Sequence, residues 1–135
     1  MRDVWAALQA AFAALGGAIG WFVGGVDGLV YALLVFVIVD YITGVMCAIQ
    51  DKKLSSAVGF VGICKKILIF LFVGIGHIID AYIIGSGAVL RTACIFFYIS
   101  NEGVSIIENA AHIGLPVPQK LVDVLEQLKN DKEEE

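Results

Sequence analysis

Charge is what this chain has least of. Asp, Glu, Lys and Arg together make up 16% of its 135 residues, against about 25% in an ordinary soluble domain. Hydrophobic residues make up 59% and the mean hydropathy is +0.89, so polar side chains are too few to keep a folded surface in water. Other scarcities narrow the function. The three cysteines, Cys47, Cys64 and Cys94, have neither C-x-x-C spacing nor a histidine cluster beside them, which argues against metal, cofactor and redox roles and leaves them as small apolar residues. Only two histidines are present, and a lone His77 is a poor basis for catalysis, so no enzyme is expected. The formal net charge of −4 comes mostly from Gln119 to Glu135, with three Lys against six Asp and Glu. A surface of that sign does not suit nucleic acid.

What the chain does have is long apolar runs. Val4 to Val26 carries no charge, Gly28 to Gln50 is apolar apart from Asp40, Ile67 to Leu90 is broken only by Asp80, and Thr92 to Asn101 continues the run beyond Arg91. A hydrocarbon core of about 30 Å needs roughly 20 helical residues. The pattern therefore predicts an all-α integral membrane protein with four transmembrane helices near 4–26, 28–50, 63–84 and 88–110. The joints fall at Asp27, at 51–62 and at Gly85-Ser86-Gly87. Residues 1–113 form the membrane domain and 114–135 a cytoplasmic amphipathic and charged tail, whose end from Lys129 to Glu135 is too polar to pack.

Four spans place both termini and the middle loop on one side, with Arg2, Lys52, Lys53, Lys65, Lys66, Lys120, Lys129 and Lys132; the other side holds only Arg91. Basic residues favour cytoplasmic loops, so both termini are expected in the cytoplasm. A three-span alternative lays the Ala-rich first segment on the membrane surface. Ala11-Phe12-Ala13 has the small-residue pattern of a signal-peptide cleavage site, but Asp3 offsets Arg2 and the apolar run continues well past it, so retention is expected.

Within the spans, small and ionisable residues draw attention. Gly16, Gly20 and Gly24 recur at four-residue steps, a groove along which helices pack closely within the monomer or between subunits. Asp40 is the most isolated charge, near the bilayer midplane; it is either neutralised, by a proton or by hydrogen bonds to Thr43 or Tyr41, or turned to a lumen. Asp80 and Arg91 stand almost equally far from the Gly85-Ser86-Gly87 centre, six and five residues from Ser86, and are expected to form an ion pair bracing the third and fourth spans, with His77 one turn from Asp80. In the fourth span Asn101, Glu102, Ser105, Glu108, Asn109 and His112 form a polar stripe at helical spacing. It lines either a wet space between helices or, after Glu108, the cytoplasmic interface, with Lys65 and Lys66 placed to pair with Glu108.

These residues also resemble a known family. Asp40-Tyr41-Ile42-Thr43-Gly44, Ser55-Ser56 with Gly59 and Gly62 before Lys65-Lys66, then Asp80, Arg91, Tyr98, Asn101-Glu102, Ser105-Ile106, Glu108-Asn109 and Gly114-Leu115-Pro116-Val117-Pro118 together are similar to the bacteriophage holin family, which includes the toxin-secretion holins. The resemblance covers about residues 28 to 128. It implies a multi-pass protein of the bacterial cytoplasmic membrane that forms a homo-oligomer in the lipid bilayer. It opens pores or lesions for host cell lysis or toxin secretion, passing an endolysin or a large toxin as cargo. Some family members are restrained by a product of a second start codon; the only other methionine here, Met46, lies inside the second span, so such an inhibitor is not expected. Two other classes share these features: a small proton-coupled multidrug-type transporter using Asp40, and a membrane adaptor recruiting a partner through the tail stripe Val117, Leu121, Val124, Leu125 and Leu128.

Overall fold

The computed structural model describes residues 1–133, and every element in it is helical. Helix α1 spans Arg2–Phe22, α2 Gly28–Gln50, α3 Ser56–Ile78 with a π-helical continuation Ile79–Ile84, α4 Val89–Ile113, and α5 Gln119–Glu133. Three segments, Arg2–Phe22, Gly28–Gln50 and Ser56–Ile84, are long and apolar enough to cross a membrane. At 1.5 Å per residue the 25 residues of α4 reach about 37 Å, but Arg91, Glu102 and Glu108 make this helix less apolar than the others.

Local chemistry accounts for the boundaries. Asp27 caps α2, its side chain accepting from the Val30 amide at 3.0 Å, and Ser55 caps α3 through the Val58 amide at 3.1 Å; both satisfy amides that the first turn of a helix leaves without partners. That serine cap starts α3 at Ser56, seven residues before the expected 63. Helix α1 stops at Phe22 rather than near 26, because Gly24 (φ 87°) and Gly25 (φ 101°) take left-handed conformations that suit residues without a side chain. Gly24 therefore lies beyond the helix, and only Gly16 and Gly20 of the expected small-residue stripe share a helical face. Helix α5 continues to Glu133, so the polar end expected to stay unpacked is helical as far as Glu133; residues 134–135 lie outside the described residues.

The helices pack in layers. Val30, Leu33, Val37, Ile69, Val73, Ile95 and Ile99, with Val23 from the end of α1, form the buried apolar core between α2, α3 and α4. Glycines set the spacing around it. Gly76 brings α3 against the backbone of Leu90 and Arg91, 3.2 Å from where a Cβ would stand, and the Phe22 ring occupies the space a side chain on Gly74 would need. Helix α1 makes its packing contacts at this C-terminal end; the rest of it, with Trp5, Phe12 and Leu15, is exposed, and Gly16 has nothing within 4 Å of its Cβ position. Close packing inside the protein therefore rests on Gly74 and Gly76, not on the Gly16 face. Gly76→Val is expected to destabilise the fold by about 1–3 kcal/mol through overpacking, while Gly16→Val leaves it unchanged; denaturant titration in detergent micelles measures both.

Candidate functional site

The core layer is bounded at each end by buried charge. On the side of the two hairpins, Asp80 sits in the π-helical turn, 1% exposed. Its carboxylate accepts the amides of Leu90 at 3.1 Å and Arg91 at 2.9 Å, so it caps the start of α4. The Arg91 guanidinium turns the other way. It donates to Asp27 at 2.8 Å, to the Val23 carbonyl at 2.5 Å and to the Gly25 carbonyl at 2.9 Å, pinning the turn after α1 onto α4. The expected Asp80–Arg91 side-chain ion pair is thus replaced by two separate links. A carboxylate facing the free amides of a helix start is well placed electrostatically, and an arginine with five donors can serve three acceptors at once. The His77 ring joins Arg91 rather than Asp80, both lying against Gly24.

At the opposite end of the apolar layer α2, α3 and α4 each contribute one charge. Lys66 of α3 bonds Asp40 of α2 and, at 2.6 Å, Glu102 of α4. The side chains of Asp40, Glu102 and Lys66 are 10%, 9% and 19% exposed. Asn109 donates to Asp40 Oδ1 at 3.1 Å and to Thr43 Oγ1 at 2.9 Å, and Thr43 donates back to the Val39 carbonyl at 2.9 Å. The Asp40 carboxylate is therefore held by Lys66 and Asn109, while Thr43 reaches only the Asp40 backbone carbonyl, at 3.1 Å. The Tyr41 hydroxyl reaches the Gly59 carbonyl at 3.4 Å, and its ring lies against Gly62. A cavity of about 230 Å³ opens beside the cluster, lined in part by Asp40, Tyr41, Gly44, Lys66, Ser105 and Asn109.

Of the residues that carry the family resemblance, the fold gathers Asp40, Thr43, Gly44, Lys66, Glu102, Ser105 and Asn109, and leaves Lys65, Asn101 and Glu108 outside this cluster. Lys65 and Glu108 are exposed, so the expected pairing of Lys65 and Lys66 with Glu108 is overturned: Lys66 points inward, where two carboxylates attract it more strongly than one at the surface. The deep half of the α4 stripe faces its neighbouring helices. The helix continues to Ile113, and His112 near its end pairs with Asp51 at 2.9 Å. The Asp40–Lys66 and Glu102–Lys66 contacts join residues 26 and 36 positions apart, a pairing that helical periodicity does not reveal. Among the described residues no buried side-chain nitrogen or oxygen lacks a hydrogen-bond partner.

A helical chain with three segments long and apolar enough to cross a membrane, and with the charges inside its bundle satisfied, defines a small integral membrane protein. Its sequence matches the model of the bacteriophage holin family over residues 17–130, and the chain belongs to that family. It is 40% identical over 102 residues to a probable holin of Bacillus phage phi105, covering 76% of this chain and 75% of the relative. It is 41% identical over 118 residues to a 14.9 kDa protein of the nagH 3′ region in Clostridium perfringens, covering 87% and 89%. A Listeria innocua protein, Lin0175, is 41% identical over 122 residues, covering 88% of this chain and 86% of the relative. No solved structure matches it.

Removing the shared cation tests the cluster. Lys66→Met leaves two carboxylates facing each other and is expected to cost about 3–5 kcal/mol, the usual result of stripping one partner from a buried pair. Combining it with Asp40→Asn and Glu102→Gln recovers most of that loss in the same detergent unfolding measurement. At the other end, Arg91 and the Val30 amide hold the Asp27 carboxyl below its ordinary value of 3.8. A depressed carboxyl stabilises the fold above the unfolded value, and the contribution disappears as pH falls through the folded one. The difference in stability between wild type and Asp27→Asn is therefore expected to shrink as pH is lowered below about 4, read by unfolding at several pH values.

Proposed function

We propose that this protein is a holin that crosses the bacterial cytoplasmic membrane four times with both termini in the cytoplasm. Copies accumulate, associate and open lesions through which a cell-wall hydrolase or a large toxin leaves the cell. Family membership supports this role, and the one-sided distribution of lysine supports the orientation. Helix α4 counts as the fourth span because it lies beside α2 over much of the length of that helix and buries Arg91 and Glu102 in the bundle, with Glu108 exposed nearer its C-terminal end.

The observation that carries the reading is the division between a satisfied interior and an apolar exterior. Lys66 offsets one of the two carboxylate charges and bonds both Asp40 and Glu102 inside the bundle, so the three cost far less in the bilayer than the roughly 2.5–3.5 kcal/mol that each lone charge would. The outer faces of α1, α2 and α3 present large apolar side chains to lipid or to other copies. One four-helix unit is too small to enclose a passage for a folded protein, so a wide lesion needs many units. Helix α1, whose surface at Gly16 is open, supplies a contact between them through close backbone approach.

Cells expressing the chain are expected to release protein-sized fluorescent dextrans abruptly after a delay, with culture density falling at the same moment. Gly16→Val is expected to insert normally yet delay that release. Unchanged timing in a variant present at wild-type level removes the α1 face from the association step, and continued growth without release removes the holin reading.

A further inference from the structure

Helix α5 follows α4 after a short turn. Gly114 ends α4 with φ 96°, Pro116 and Pro118 stiffen the next residues, and α5 then packs back on α4. Leu125 is only 6% exposed. It rests on Gly103, where a Cβ would stand 2.8 Å from the leucine and 3.1 Å from Phe36 of α2. The absence of a side chain at Gly103 is what admits Leu125. An apolar groove of about 360 Å³ continues the contact, with Val35 and Val39 of α2 among its walls and Leu121 of α5 opposite. Helix α5 is therefore seated on α4 at the level of Phe36 in α2, one of the segments able to cross a membrane.

That position creates an electrostatic problem. The face of α5 turned away from the bundle carries Lys120, Asp123, Glu126, Gln127 and Lys129, all exposed. At the depth of Val35 to Val39 these groups would meet hydrocarbon if lipid surrounded the protein there, and charged side chains are strongly disfavoured in that medium. The alternative lumen lining, the stripe on α4, is occupied: Glu102 and Asn109 point inward and bond Lys66 and Asp40.

We propose that α5 turns back from the cytoplasmic end of α4 so that its flank faces water at membrane depth, lining the lumen of the assembled lesion and ending the chain in water continuous with the cytoplasm, while the apolar faces of α1 and α3 turn to lipid or neighbouring subunits. This rests on the holin reading and adds which surface the cargo passes. The closing turn and the Gly103 seat hold α5 in place, so each folded unit is a wedge with one wet side.

The test uses the full chain in dextran-loaded liposomes, with Cys47, Cys64 and Cys94 replaced by alanine and nitroxide labels at Tyr31→Cys and Gln127→Cys. The expected result is a narrow distance distribution between the labels, together with collisions at position 127 that favour a water-soluble nickel chelate over oxygen. A narrow distribution with oxygen-favoured collisions overturns the proposal, because α5 then faces lipid; a broad distribution overturns it because α5 then hangs free. Dextran release by the wild-type chain is read separately. Release with either adverse label result sinks only the lumen assignment, whereas no release sinks the holin reading and the lumen with it. Should the cysteine-free chain not fold, the unmodified protein gives the same answer. Carbodiimide labelling of Asp123 and Glu126 with slow hydrogen exchange of the α5 amides supports the proposal, and unlabelled carboxylates or fast exchange overturn it.

Discussion

Three helices of this protein are held in register by one lysine. Lys66 sits between Asp40 and Glu102, and the geometry of the rest of the bundle follows from keeping all three out of hydrocarbon. In lipid, apolar surface gains nothing by leaving the tails for another helix, so polar contacts and close packing decide which faces meet. Only one rotation of α2, α3 and α4 brings the three charges together, and in that rotation Leu33, Val73 and Ile95 are fully buried in the layer above. The ion cluster selects the arrangement and the apolar layer fills it.

The second constraint is the clasp at the hairpins. Asp80 is used to start α4, and Arg91 is used to tie down the turn after α1. The π-helical turn at Ile79–Ile84 belongs to this arrangement, since the carboxylate that caps α4 sits within it; insertions of this kind in helices are often associated with special positions. Both ends of the core are thereby closed by buried hydrogen bonds. What remains available for work is the outside of the molecule: the apolar length of α1, and the polar back of α5. These are the surfaces on which the proposed association of whole units depends.

Much of this was legible in the residues. Low charge and runs of about twenty apolar residues led directly to membrane helices, and the turns at Asp27 and at Gly85-Ser86-Gly87 were visible as breaks. The Ser55 cap was also present in the sequence, yet the charged pair Lys65-Lys66 drew the expected start of α3 toward the membrane boundary. Asp40, Lys66, Glu102 and Asn109 could be singled out one by one, because a polar group in an apolar run is conspicuous whatever it contacts.

Sequence by itself determined the solvent, the helical class and the family of this protein, since hydropathy and helical period are local properties of neighbouring residues. Tertiary structure alone decided the partners. Lys66 chose Asp40 and Glu102 over Glu108, Arg91 chose Asp27 over the side chain of Asp80, and Leu125 found Gly103. Each choice depends on the rotation of one helix against another, which is a sum over many weak contacts between residues distant in the chain and leaves no periodic trace in it.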